Sequence, residues 1–319
     1  FGRDFAIEAM KVGKRTFVQL FDDRLYEALV EDITPNGIQL SKMETESLKS
    51  ADLIVWLPTY QNSQPRISLE ALKAVNSFEA TQERLARERN ILWLAYPSGL
   101  DCERAGKTLE SCEIMLARAI GASPQKMKVT GEAIIKMMGK SDTLRILTGN
   151  MFELLVETGG RVPGLEDGYF REQDGELYLP AGEVYIAPPE KKVDGEIVFD
   201  HPLWNIKELW LEFSNGRIVD YSADSGEDLI KQWIESSTGN PDVIAEIGFG
   251  INPECLPIGW FLYDEKALGT IHLAIGENRH LGGVNESSLH KDFMSKSATV
   301  FLGEKEVILD GILKSASRS

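Results

Sequence analysis

Cysteine, histidine and basic charge are all scarce in this chain. Its 319 residues include three cysteines and four histidines, and 34 Lys and Arg stand against 50 Asp and Glu, a formal charge of −16. The cysteines, Cys102, Cys112 and Cys255, show no C-x-x-C spacing. That argues against a thiolate zinc module or a disulfide framework and suits a reducing, cytoplasmic setting. So acidic a chain lacks the basic patches that nucleic acid or an anionic membrane surface requires. No apolar run approaches a membrane span, and no G-x-G-x-x-G follows a strand-like run, which leaves a dinucleotide site without support. No signal peptide is read. The chain opens at Phe1 rather than a methionine, so a short preceding piece, with any targeting segment, is expected to lie outside it.

What is present reads as an ordinary soluble α/β chain, with 43% hydrophobic and 26% charged residues and a length that suits two domains. The runs "RTFVQLF" (15–21), "ADLIVWLP" (51–58) and "ILWLAYP" (91–97) have the character of strands buried on both faces, as in a parallel sheet. Between them "SLEALKAVNSFEATQERLARER" (68–89) carries apolar residues at helical spacing. Strand–helix alternation predicts a doubly wound α/β domain over 1–137. Two further helices are read between about 105 and 140, after which short β-type runs and turns alternate, one "SNGR" marking a hairpin and one helix interrupting near 224–237. Residues 138–319 are therefore expected to form an α+β domain rich in antiparallel strands.

All four histidines fall in that second part. In "SSLHKDF" (287–293), His290 and Asp292 are two apart, and in an extended segment they project to one face. His272 lies within the apolar run "GTIHLAIGEN", Glu246 within "DVIAEIGFGINP" and Glu183 within "LPAGEVYIAP". Carboxylates in apolar company are costly to bury unless they are paired or bound to a metal. Taken singly, each of these residues has an ordinary explanation: a satisfied core histidine, or a solvent-facing strand position. Together they supply five nitrogen and oxygen ligands, an inventory that suits one or two ions such as Zn²⁺, Co²⁺ or Mn²⁺.

From about residue 141 to 300 the chain resembles the M29 family of metallo-aminopeptidases. The landmarks are "GGR" (159–161), "LPAGEVYIAP" (179–188), "AEIGFGINP" (245–253), "DEKALGTIHLAIGEN" (264–278) and "GGVNESSLHKD" (282–292), in the family's order. The first 130 residues share only a general α/β texture with it. The resemblance implies a two-metal site at Glu183, Glu246, His272, His290 and Asp292, with Glu183 or Glu246 as bridging carboxylate or general base. It also implies an N-terminal α/β domain beside a metal-bearing C-terminal domain, and a homodimer enclosing a cavity that admits small peptides. One position departs from the pattern. Where the family's peptidases place a tyrosine, seven residues beyond the first histidine, this chain has Arg279, read either as a catalytic oxyanion donor or as a solvated loop residue. His280 reads as exposed and incidental, and Lys266 as a local salt-bridge partner. Some relatives of the fold are Fe(II)-dependent ring-opening dioxygenases that have lost the carboxylate matching Glu183 and carry a histidine at the position of Glu246; this chain keeps both glutamates. A binding protein or a hydrolase of another amide is the remaining alternative.

Overall fold

The apolar runs that end in proline become parallel strands. In a computed structural model, which describes residues 2–18, 39–58, 69–149, 151–171, 175–202 and 206–314, Leu53–Trp56 pairs in parallel with Asn90–Leu94. The intervening helix, Leu69–Ala86, buries Ala71, Leu72, Val75, Phe78 and Leu85, the three-and-four spacing of one helical stripe. Further helices span Gly2–Lys11, Lys42–Ser50, Gly99–Arg104, Leu109–Ile120 and Pro124–Met138. Local signals start the last two: Thr108 and Ser123 accept the backbone N–H three residues on, and Pro124 takes the first turn, where its missing N–H costs nothing. The run at 15–21 is not a strand over its described part, since residues 15–18 carry no regular structure; positions 19–21 lie outside the described residues.

The third strand of the parallel sheet comes from the later part of the chain. Glu176–Leu179 pairs with Asn90–Leu94, so the sheet joins both parts of the molecule. Beyond residue 140 antiparallel pairing takes over. One sheet has eight strands, beginning with Thr143–Thr148 and Phe152–Glu157. It includes the "SNGR" hairpin, in which Asn215 and Gly216 both have positive φ (50° and 72°), the geometry of a type I′ turn. The helix near 224–237 spans Glu227–Ser236 and packs on Leu69–Ala86, where Asn76 Nδ2 donates to Ser236 Oγ at 3.0 Å. The result is a mixed α/β fold with a strand-rich second part.

The five-stranded sheet positions the site. Its order is His290–Ser295, Ile271–Gly276, Ile244–Gly250, Glu183–Ile186, Gly164–Glu166, with antiparallel pairing throughout. Because successive side chains alternate across a strand, one face carries Val184, Ile186, Ile247, Phe249, Leu273 and Phe293 into a core shared with the eight-stranded sheet. The other face carries Glu183, Glu246, His272, His290 and Asp292.

Candidate metal centre

Strand register explains how five polar side chains fit on one buried face. Glu183 stands opposite Gly250, His272 opposite Gly248, His290 opposite Gly276, and Asp292 and Glu246 both opposite Ala274. Each donor thus has a glycine or alanine opposite it on at least one neighbouring strand, which leaves room for the donors to lean together. At Gly248 the room is fully used: a Cβ there would lie 2.0 Å from His272 Nε2.

All five side chains converge. His272 Nε2 is 3.3 Å from Glu183 Oε2 and 3.6 Å from Glu246 Oε1, while His290 Nε2 is 3.4 Å from Glu246 Oε2 and 3.5 Å from Asp292 Oδ1. Ligands bound to one tetrahedral zinc ion stand about 3.3–3.6 Å apart, given metal–ligand bonds of roughly 2.0–2.2 Å. Among the five donors two overlapping sets form, Glu183–Glu246–His272 and Glu246–His290–Asp292, with Glu246 common to both; a third set, Glu265–His272–Asp292, draws in one more carboxylate. Glu246 Oε1 faces one histidine and its Oε2 the other.

Three further observations test whether a metal suits these residues. Glu183 Oε2 is buried and has no hydrogen-bond donor among the described residues. His290 Nδ1 lies 2.7 Å from the Glu277 carbonyl. Since a carbonyl only accepts, Nδ1 carries the proton and Nε2 is left to face the cluster, the usual outer support of a metal-bound histidine. No cysteine joins any of these sets; all three thiols are buried and unpaired. The residues fit a divalent ion bound through nitrogen and oxygen.

The electrostatics point the same way. Burial favours the neutral form of His272, but hydrogen bonding to Glu246 and the charges of Glu183 and Glu246 outweigh it and raise its pKa to about 9. The His290 pKa is carried well above the ordinary histidine range by Asp292 and Glu246, again against burial. Burial alone would raise Glu246; its hydrogen bonds and charge pairing with the two histidines instead hold it below the usual carboxylate range. The cluster draws positive charge onto itself, a demand that a divalent cation also meets.

Sequence reading missed the second layer of this cluster. Glu265 is buried and Glu166 half-buried beside it, and Lys266, only 3% exposed at its side chain, binds three carboxylates through one ammonium. Its Nζ is 2.6 Å from Glu183 Oε1, 3.0 Å from Glu265 Oε1 and 3.3 Å from Glu166 Oε2. The expected local salt bridge is present, and it fixes the direction of Glu183. Burial raises Glu265 to about 7 despite Lys266, and raises Glu166 well above its ordinary value. The signal was available in "DEK", three consecutive charges before a glycine and a buried strand. Asp264, the first of them, is fully buried and pairs with His201 Nε2 at 2.8 Å, which places the fourth histidine outside the cluster.

Arg279 takes the loop position that was one of its two readings, whereas His280 departs from its expected exposure. The Arg279 guanidinium is bound to Glu277 at 2.9 Å and to Glu286 at 3.3 Å, with its side chain 46% exposed at the rim. His280 is half-buried, its ring edge-on to that of His290 with centroids 5.2 Å apart.

Donors, Lys266, Arg279 and His280 all line one cavity of about 2810 Å³, whose far wall comes from the parallel-sheet layer and includes Trp56, Arg87 and Trp93.

A family model described as thermophilic metalloprotease (M29) matches residues 170–307. Aminopeptidase AmpS of Bacillus subtilis is 32% identical over 166 residues, 44% of this chain and 38% of that protein. The 2,5-dihydroxypyridine 5,6-dioxygenase of Pseudomonas putida is 23% identical over 216 residues, covering 62% of this chain and 61% of that one. Among solved structures, wild-type AmpT from Thermus thermophilus superposes with a TM-score of 0.70 at 16% identity, covering 98% of this chain and 90% of that one, a likeness of fold. The sequence matches to AmpS and to aminopeptidase T of Thermus aquaticus span less than two fifths of those proteins' own lengths. Residues 170–307, the stretch that resembles the thermophilic metalloprotease (M29) family, hold all five converging donors.

Proposed function

We propose that this protein is a metal-dependent aminopeptidase that releases N-terminal residues from small peptides. One observation carries the reading: two ligand sets of nitrogen and oxygen donors meet at Glu246 on one sheet face. When bound, a pair of divalent ions (Zn²⁺, Co²⁺ or Mn²⁺) supplies a water of lowered pKa and polarises the scissile carbonyl. Glu183 and His272 would hold one ion, His290 and Asp292 the other, and Glu246 would bridge them. Lys266 fixes one oxygen of Glu183. That leaves Oε2, which has no hydrogen-bond donor among the described residues, directed at the cluster. Carboxylates around the centre also suit the free α-amine of a peptide. Arg279, occupied by Glu277 and Glu286, is better read as a loop anchor than as an oxyanion donor.

The test is direct. Reloaded with Zn²⁺, Co²⁺ or Mn²⁺, the protein should cleave an aminoacyl anilide with a free α-amine and leave its N-acetyl form intact. Prolonged chelation should abolish turnover, and His290→Ala should lose both metal and activity. Failure of every free-amine substrate across the three metals would refute the reading, and cleavage of blocked substrates would reassign the protein to another amide hydrolase. The dioxygenase relative matches more of this chain than the aminopeptidases do, at lower identity. Oxygen uptake with a dihydroxypyridine and Fe²⁺ would establish that chemistry instead. Both glutamates are in place here, which favours hydrolysis. The reading also carries a homodimer, checked by a light-scattering mass twice that of the chain, and a cytoplasmic setting consistent with three buried, unpaired thiols.

A further inference from the structure

We propose that His280 is a catalytic residue, donating a hydrogen bond to the substrate carbonyl oxygen at the metal centre. The inference rests on the aminopeptidase reading and extends it to a residue outside both ligand sets. It begins with the backbone. Arg279, His280 and Leu281 form a single 3₁₀ turn, in which successive side chains diverge by about 120° because three residues complete the turn. Arg279 and His280 therefore leave the chain in different directions. The Arg279 direction is occupied: Nε and Nη2 donate to Glu277 at 2.9 and 3.1 Å, and Nη1 pairs with Glu286 at 3.3 Å. Glu277 in turn accepts the Arg279 and Ser287 backbone N–H groups at 3.0 and 3.1 Å, so swinging Arg279 inward would undo the clamp on the loop before His290.

His280 faces the other way. Its ring meets the edge of His290 at 5.2 Å and 68°, and it lines the cavity onto which the five donors open. Among the described residues neither of its ring nitrogens has a hydrogen-bond partner, so an N–H is available to a molecule in the cavity. The turn is held firmly enough to aim it. Leu281 and Gly283 donate to the Asn278 carbonyl at 3.0 and 2.9 Å, and the buried Asn278 side chain accepts from Asn285 N–H at 2.8 Å and donates to Glu190 at 3.2 Å. At Gly283 a Cβ would stand 2.1 Å from Asn278 Oδ1, so the loop closes directly onto this anchor. An imidazole N–H beside the metal ligands can meet negative charge developing on the carbonyl oxygen, the contribution expected of a fixed oxyanion donor.

The experiment uses the full chain, reloaded with zinc, as wild type, His280→Ala and His280→Gln. Zinc content should be equal in all three. For an aminoacyl anilide, kcat should fall by about 10²–10³-fold in His280→Ala with KM little changed, and His280→Gln, which keeps an N–H donor, should recover part of the loss. Calorimetric titration with leucine hydroxamate, which needs no turnover, should show binding weakened at least about 10-fold in His280→Ala, a loss on the order of one hydrogen bond to a charged group. Zinc lost on substitution, kcat unchanged, or hydroxamate bound as tightly as by wild type would each overturn the proposal. A large fall in kcat for Arg279→Ala with none for His280→Ala would return the role to Arg279. If the wild type cleaves no free-amine substrate, the aminopeptidase reading falls on that result, and the hydroxamate titration still decides for or against His280.

Discussion

Gly248 stands between Tyr185 on one neighbouring strand and His272 on the other, and the imidazole occupies the space where a Cβ would project. Gly248→Ala should therefore displace His272 while leaving every ligand in the sequence. Zinc affinity should fall by roughly 10–100-fold, the usual cost of disturbing the support of a metal ligand. Equilibrium dialysis measures it directly, and unchanged affinity would show that the ring has somewhere else to go. Glu183, Glu246 and His272 were legible in the sequence as polar residues in apolar runs, and His290 and Asp292 by the two-residue spacing that puts them on one face of a strand. Their opposing glycines and alanines were not, because cross-strand register depends on pairing that no single strand encodes. His280 was misread for a related reason. Its neighbours "ENRHLGG" read as an exposed loop, and only the turn's fastening through Asn278 brings the ring against His290.

The short helix Phe261–Asp264 shows the same limit for elements. Four residues make a poor helix on their own, and the sequence gives no reason to expect one there. Its stability comes from Asp264, whose carboxylate accepts from the backbone N–H groups of Ile258, Gly259 and Trp260 at 2.9, 2.5 and 2.9 Å and pairs with His201. Burial pulls its pKa up, against these bonds. Asp264 thereby positions the two residues after it, Glu265 and Lys266, at the cluster. Asp264→Ala should cost about 3–5 kcal/mol, the range for breaking one partner out of a buried charged network, read as a lower urea midpoint with an unchanged slope. A change below about 1 kcal/mol would mean that water replaces the carboxylate easily. By contrast, the long periodic helices and the "SNGR" hairpin follow their sequence signals closely, since i, i+3, i+4 patterns and turn residues act locally. The strand Glu176–Leu179 was visible as a strand, but its parallel partner, more than 80 residues earlier, was not.

That distant pairing shapes the molecule. Only Pro180, Ala181 and Gly182 separate Glu176–Leu179 from the strand that begins at Glu183. The parallel layer is thus tethered beside the metal-binding face, with Trp93 stacked on Tyr178 at 5.7 Å and Lys266 Nζ 5.0 Å above the Tyr178 ring. The donors line a cavity walled by both layers. At about 2810 Å³ it exceeds the roughly 300–1,000 Å³ of an ordinary small-molecule pocket. A flexible peptide can thread its first residues into such a space, whereas a folded domain would have to unfold or push the layers apart. If the aminopeptidase reading holds, kcat/KM should be similar for free peptides of two to about six residues. It should fall at least about 100-fold when the same N-terminal sequence is joined directly to a stable globular domain, because local unfolding must then precede binding. Inserting a long Gly/Ser linker before that domain should restore cleavage, because such a linker behaves as a flexible coil that can reach the centre. Equal cleavage with and without the linker would mean that the cavity is no barrier.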